Sequence, residues 1–520
     1  MIDITGHLPV LVIVIPLISA IIIPMAGRFN RLYSWYITAA VTFVSFLISI
    51  ALLNRVLNTG RISYWLGGWQ PPWGIEYVID YLSAFVLMIV TFIAFIVSLY
   101  ARRSVEKEIA EKKITTFYSV YMLFVAGLMG ITVTGDIFNL YVFIEISSLA
   151  AYTLIAVGRK RDALMASYNY LILGTIAATF ILLGIGYLYM MTGTLNMADL
   201  RERLPALYES KVVLTAFAFF MVGFSLKLAL FPLHTWLPNA YTHAPSVVSA
   251  IMAATSTKVG AYVMLRIMFT VFKVEFDLQV VPVTKILLIL SSVAIIAGSV
   301  LAIAQTNIKR MLAYSSVGQI GYIVLGAALA NQTAMTGSLL HILNHAIMKG
   351  ALFLVVGTVV YKTGIEDISG LRGKGKEMPY SMAAFTIAAL SIIGVPLTVG
   401  FVSKWYIAVG ALNAGMWYFV PIILLSSLLT AVYFWRIIES IYFEKADSGI
   451  LKVEYSVTPL LQLQPEIHNP QFDARNPDDA PLGMLIPTLV LAGLCIFFGI
   501  AAFIPVSVAE KAASMLLGGM

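Results

Sequence analysis

One cysteine, Cys495, stands among 520 residues, which excludes a disulfide framework and any iron–sulfur cluster ligated by cysteines of this chain. Charge is scarce as well. Asp, Glu, Lys and Arg make up 11% of the chain, with 26 acids against 33 bases. No basic cluster interleaves with aromatics on a polar stretch, so the net charge of +7 carries no nucleic-acid signal. Nucleotide, metal and hydrolytic motifs are absent, so no redox or hydrolytic centre and no cofactor site is expected in this chain. Apolar sequence is what it has in excess: 60% of residues are hydrophobic and the mean hydropathy is +0.91. A soluble core needs far less, so the chain reads as an all-α polytopic membrane protein. Its first apolar run, without a basic leader or a small-residue cleavage site, reads as a retained span.

At about 20 residues per crossing, spans fall near 8–25, 34–54, 81–101, 115–134, 137–157, 165–191 and 212–232. Others fall near 245–272, 282–304, 312–330, 338–361, 380–408, 416–443 and 482–505, which makes fourteen. Loops after odd-numbered spans hold 19 basic residues and loops after even-numbered spans hold 7. The positive-inside rule then places the odd loops in the cytoplasm and both termini outside a plasma membrane. The organisation expected is an N-terminal three-helix segment over 1–114 and two five-helix units over 115–272 and 281–443. A cytoplasmic loop over 444–480 and a C-terminal crossing within 481–520 complete it. Residues 55–80, with Gly, Pro and three tryptophans, read as an outside hairpin, and 193–211 as a short amphipathic surface helix.

Ionisable residues within apolar runs are costly, about 2.5–3.5 kcal/mol each on the insertion scale, and default to a functional reading. Glu145, in NLYVFIEISSLAAYTL, is the one carboxylate deep inside a span. Lys227, in GFSLKLALFPLHTWLPNAYTHAP, follows Val212 by 15 residues, about 22 Å of helix, and a proline interrupts the run at Pro232. Lys258, Lys349 and Lys404 are also deep, whereas Arg266 and Arg436 lie toward span ends and are expected to snorkel. A buried acid paired with a buried base stays ionised, and breaking the pair changes both proton affinities. Glu145 and Lys227 are therefore expected to pair, as a relay or as a static lock between helices. In HILNHAIMKG, His341, His345 and Lys349 recur every fourth residue and share one helix stripe, a pattern suited to moving protons. The histidine pair lacks the carboxylate or cysteine that would complete a zinc site. His234 and His243 bracket the break after Lys227 and could form a watery entrance or simply pack.

Lys404 also accompanies a Pro- and Gly-rich interruption, in LSIIGVPLTVGFVSKWYIAVGAL. The two interrupted spans, seventh and twelfth, are five apart, so spans four to eight and nine to thirteen read as inverted five-helix repeats. Broken helices at matching places in such repeats point to a transport site near the midplane.

The stretches LVIVIPLISAIIIP, YVIDYLSAFVLMIV, GDIFNLYVFIEISSLAAY, KLALFPLHTWLPNAYTHAPSVVSAIMAATSTKVGAY, QTNIKRMLAYSSVGQIGY, HILNHAIMKGALFL and GVPLTVGFVSKW span most of the chain. Together they resemble the antiporter-like subunits of respiratory complex I, Mrp-type Na+/H+ antiporters (the D-type component above all) and membrane-bound hydrogenases. The resemblance implies fourteen spans and a central polar axis. It assigns ion translocation to Glu145, Lys227, Lys258, His345 with His341, and Lys404. Asn239 departs from the pattern, since many relatives carry an acid there. The partners implied are other integral membrane subunits, peripheral iron–sulfur or nickel–iron subunits in a redox-driven assembly, the lipid bilayer, and H+ with or without Na+. A self-sufficient secondary antiporter is the rival reading. A quinone- or lipid-handling enzyme lacks a convergent polar cluster, and a structural anchor would not need deep charges on five spans.

Overall fold

The computed structural model describes residues 4–276, 281–444 and 479–518, so most of the expected 444–480 loop lies outside the described residues. Thirteen helices among these are long and apolar enough to cross a bilayer, and a broken span supplies the fourteenth crossing. Helices are the required solution, because lipid leaves every backbone N–H and C=O to be satisfied within its own segment. The first six spans are Leu8–Gly27, Arg31–Thr59, Tyr81–Glu108, Ile114–Val133, Ile137–Ala156 and Arg161–Thr192. The seventh is Lys211–Leu228 with a second piece, Trp236–His243, and the eighth is Ser246–Leu265, which continues into a π-helical turn at Arg266–Val271. Val283–Ile303, Ile308–Ala328 and Gln332–Thr363 follow. The twelfth span comes in two pieces, Pro379–Ile393 and Val399–Asn413, and Phe419–Tyr442 and Leu482–Ile500 complete the set.

The two five-helix repeats are visible in their hydrogen bonds. Asp136 caps the fifth span by accepting from Asn139 N, while Ile137 N donates to Leu195 O and Met197 N to Gly135 O. Asn307 caps the tenth span in the same way, with Ile308 N donating to Glu366 O and Ile368 N to Thr306 O. The sixth and eleventh spans each end on a left-handed glycine, Gly193 and Gly364. One constant shift in residue number carries Asp136 onto Asn307 and Gly193 onto Gly364. Five spans per repeat is an odd number, so the copies run in opposite senses through the membrane.

The eleventh helix is the core of the molecule. It is buried along its apolar window and packs against the third, eighth, tenth, twelfth and fourteenth spans. Close approach explains its small residues: a Cβ on Gly337 would lie 2.8 Å from Ile407 N, and one on Gly410 would lie 2.5 Å from Ala334. Outward faces remain apolar, as at Ile21, Phe43, Leu47, Leu424 and Leu428, which suits contact with lipid or with other membrane subunits.

Between the second and third spans, Ile62–Trp65 pairs antiparallel with Glu76–Ile79. Buried Glu76 accepts from Ser63 Oγ and Asn196 Nδ2, tying this hairpin to the loop after the sixth span. That loop carries the helix Met197–Arg203, whose Met197 and Leu200 face inward. The segment read as a single C-terminal crossing has a second helix, Phe503–Leu516, packed on the third and eleventh spans.

Two sequence expectations are corrected. Arg266 does not snorkel. It is buried and grips Asp80, the N-cap of the third span, through two hydrogen bonds of 2.6 and 2.8 Å. Arg436 is exposed and donates to Ile303 O and Gln305 O, as snorkelling requires. Lys309, counted with the loops, is 2% exposed in the first turn of the tenth span and pairs with Glu366 at 3.5 Å. Glu366 also holds Lys160 of the first repeat at 2.6 Å.

Candidate ion path

The seventh helix stops where Ala229 takes a left-handed conformation, and Trp236, opening the second piece, donates its indole N–H to Leu226 O. The break therefore leaves one carbonyl of the first piece satisfied by the second. Lys227 occupies the last turn before it, where a cation meets the negative end of the helix dipole. Its ammonium lies 3.6 Å from Glu145 Oε1 and donates to Ser148 Oγ at 2.7 Å. The pair is real but too long for a direct hydrogen bond, and Glu145 Oε1 has no hydrogen-bond partner of its own. Glu145 is not wholly enclosed: its side chain is 28% exposed at the flank of the fifth span.

Beside this pair lies a cavity of about 40 Å³ lined by Ser147, Ser148, Tyr170, Lys227, Ser256 and Gly260, among others. A water needs roughly 10–15 Å³ on this measure, so the cavity has room for about three. Ser256 Oγ has no protein partner and lies on the same helix as Lys258. Lys258 is fully buried, and its ammonium donates to Ala253 O and, at 3.4 Å, to Thr257 Oγ1.

The eleventh helix presents the expected stripe. His341, His345 and Lys349 are all 0% exposed. His341 Nδ1 meets Ser403 Oγ at 2.9 Å and its Nε2 meets Gln319 Oε1 at 3.1 Å. His345 stacks on His341 with ring centroids 6.0 Å apart, and neither of its nitrogens has a protein partner. Lys349 donates to Leu312 O at 2.8 Å. No cluster of three metal-ligating residues occurs among the described residues.

The twelfth span breaks at left-handed Gly394, and Lys404 stands in the piece after the break. Its ammonium reaches back to Ile392 O and Ile393 O at 2.8 and 3.0 Å, to Ser427 Oγ at 3.0 Å, and over the Tyr322 ring at 4.9 Å. These are the terminal carbonyls of the first piece, the negative end of its dipole. Lys404 has no carboxylate within ion-pair distance among the described residues. His234 stands apart from the row: it is 7% exposed, stacked on Phe231, and its Nδ1 is unpartnered.

The structure thus places Glu145 with Lys227, and His341 with the residue preceding Lys404. Ser148, Ser256, Gln319, Ser403, Ser427 and Tyr322 were not anticipated. A mid-span glutamine in SSVGQIGY and a serine pair one turn beyond Glu145 were the available signals.

Residues 134–430 match the family described as NADH:quinone oxidoreductase/Mrp antiporter, transmembrane. The chain belongs to this family. It is 45% identical over 94% of each chain to the N-type component of the NADH-quinone oxidoreductase of Desulforudis audaxviator. It is 32% identical to the D-type component of the Na+/H+ antiporter of Bacillus subtilis, covering 81% of this chain and 84% of that one. A chain in the structure of the membrane-bound sulfane sulfur reductase, an archaeal respiratory membrane complex, superposes with a TM-score of 0.86 at 30% identity over 98% of both chains. This protein is accordingly an antiporter-like, multi-pass subunit of a complex I-like or Mrp-type membrane assembly, and other membrane subunits are its partners.

Proposed function

We propose that this subunit moves protons along a lateral row formed by Glu145, Lys227, Lys258, His345 with His341, Lys349 and Lys404. His234 lines a side branch at the broken seventh span. The observation that carries the reading is the loose Glu145–Lys227 pair at 3.6 Å, whose lysine donates to Ser148 and lines a cavity with room for water. An ion pair of that length can be opened without tearing a direct hydrogen bond, and opening it changes the proton affinity of both groups. Beyond it, each buried lysine is held by neutral acceptors, so a charge arriving at one raises the cost of charge at the next. At an effective dielectric near 20, two charges 4 Å apart interact by about 4 kcal/mol, falling with distance.

The exposed flank of Glu145 supports an entry point shared with a neighbour, because a carboxylate cannot face lipid unaided. Higher identity to an oxidoreductase component than to an antiporter component favours a redox-driven complex in the plasma membrane, with both termini outside. Na+/H+ exchange in an Mrp-type assembly is the second reading, favoured by the antiporter relative.

The test is twofold. The assembly isolated through this chain is expected to contain iron and acid-labile sulfide from its other subunits; a metal-free assembly that exchanges Na+ for H+ supports the second reading instead. In vesicles, Glu145→Gln is expected to abolish proton transport while the complex still assembles. Normal transport by the assembled variant removes Glu145 from the path.

A further inference from the structure

A second polar cavity, remote from the row, opens where the ends of the second, third and fourth spans meet the loop after the fifth. It measures about 550 Å³ and is lined by Arg31, Arg102 and Arg159, by Glu106 and Glu111, and by Trp35 and Tyr118 among others. This volume is within the roughly 300–1,000 Å³ range of small-molecule sites. Every lining segment lies after an odd-numbered span or next to one, which is the face carrying the excess of basic residues.

The three guanidiniums come from three separate segments and are differently engaged. Arg31 pairs with Glu111. Arg102 stands over the Trp35 ring at 5.3 Å and reaches Glu106 only at 3.8 Å, a carboxylate it shares with Arg103 at 3.7 Å. The Nε–H of Arg102 is shielded from solvent and has no acceptor. Arg159 has no carboxylate within ion-pair distance among the described residues and donates to one backbone oxygen, Ile109 O, at 3.0 Å. Three guanidiniums and two carboxylates leave one positive charge in the lining. A buried donor without an acceptor asks for one, and guanidinium forks fit the oxygens of a phosphate. The start of the second span adds the positive end of its helix dipole, with Asn30 as the cap.

What kind of phosphate fits is decided by the surroundings. Trp35 and Tyr118 are the residue types that gather at the membrane–water boundary. From Trp35 the second span continues into the bilayer with an exposed apolar stripe through Tyr36, Phe43, Leu47 and Ile50. A phosphate held at the cavity would have acyl chains running along this stripe. We infer that the cavity binds the phosphodiester headgroup of an anionic phospholipid, with Arg102 and Arg159 as its principal contacts.

Electron spin resonance of the purified complex with spin-labelled phosphatidylglycerol or phosphatidylcholine tests this. The anionic lipid is expected to be motionally restricted in excess of the zwitterionic one, and millimolar inorganic phosphate is expected not to displace it. Combining Arg102→Gln with Arg159→Gln should lower the preference about tenfold, the effect of losing one to two charge-assisted contacts at a wet boundary. Combining Lys112→Gln with Lys113→Gln, an equal loss of charge just outside the cavity, should leave it. Equal restriction of the two lipids by the unaltered complex would overturn the inference without any variant. So would an unchanged preference in the arginine variant, or displacement by inorganic phosphate, which would make this a site for a free anion.

Discussion

In the seventh span the lysine stands before the break and meets a carboxylate; in the twelfth it stands after the break and meets carbonyls, a hydroxyl and an aromatic ring. Aligning the left-handed caps Ala229 and Gly394 puts Ile392 opposite Lys227, and Lys404 donates to the carbonyl of that same Ile392. The two ammonium groups therefore reach the same part of the break from opposite halves of the helix. Their surroundings differ because the repeats have diverged around them. Under the shift that superposes Asp136 on Asn307, Ser316 stands opposite Glu145, Tyr170 opposite His341 and Gly174 opposite His345. The first repeat kept an acid and lacks the histidines, and the second has the reverse. A lysine with an acid beside it holds its charge by pairing, whereas one with only neutral acceptors can shed its charge without stranding a partner. Within the proposed function, this comparison assigns charge storage to the first break and charge release to the second.

The sharpest way to break the comparison is at the acid. Lys227→Ala is expected to abolish proton transport in assembled complexes, and adding Glu145→Gln should cost nothing more, because the two act as one unit. Substantial transport in reconstituted vesicles by either single variant, lost only in the double variant, would mean that the residues work separately. The second break should respond differently. Lys404→Ala is expected to block net transport yet leave Glu145 titrating, as read by infrared difference spectroscopy, and Lys404→Arg should block it too because that charge cannot be shed. Full transport by Lys404→Ala, or silencing of Glu145, contradicts the assignment of storage and release.

A smaller effect is expected at Ser148, which only accepts a hydrogen bond from Lys227. Ser148→Ala should slow transport about tenfold, the scale of one lost hydrogen bond to a charged group, and Ser148→Thr should restore part of it. The smallest concerns Glu366, which joins the repeats through Lys160 and Lys309. Burial alone would raise its carboxyl, but Lys309 and Lys160 outweigh burial and hold it below its ordinary value of 4.5. A lowered carboxylate contributes stability above its unfolded value and loses it as the pH falls through the folded one. Glu366→Gln should therefore cost about 1 kcal/mol at neutral pH, seen as a lower inactivation temperature. The difference from the parent protein should shrink as the pH falls below 4.5 and vanish once it is below the lowered folded value.

Much of this was legible because charge inside an apolar run is conspicuous. Glu145, Lys227, Lys258 and Lys404 stand out in any window, and the four-residue spacing of His341, His345 and Lys349 needs only helical geometry. Pro232 and Gly394 marked the breaks for the same local reason. Arg266 was misread because its partner Asp80 is distant in sequence, and distance from a span end was the only local guide. Lys309 was assigned to a loop because a charge beside Asn307 resembles a helix boundary, which it is; that the boundary is buried depends on Glu366 arriving from beyond the eleventh span. The partners of the buried bases (Ser148, Gln319, Ser403) are ordinary polar residues that gain meaning only when helices distant in sequence pack together.

The enclosure of the eleventh helix bears on how the chain is made. A helix with two histidines and a lysine on one stripe must first enter the membrane facing lipid, then lose that contact as its ring of neighbours closes. Part of that ring, the twelfth and fourteenth spans and the helix Phe503–Leu516, is synthesised after it. During translation the tenth span is already there to offer Gln319 to His341 and Leu312 O to Lys349, but the side of the helix that the later pieces cover is still open. The C-terminal pieces act as a lid fitted once the rest is in place, so a ribosome stalled before the twelfth span leaves His341 without Ser403 and that side of the eleventh helix open to the bilayer.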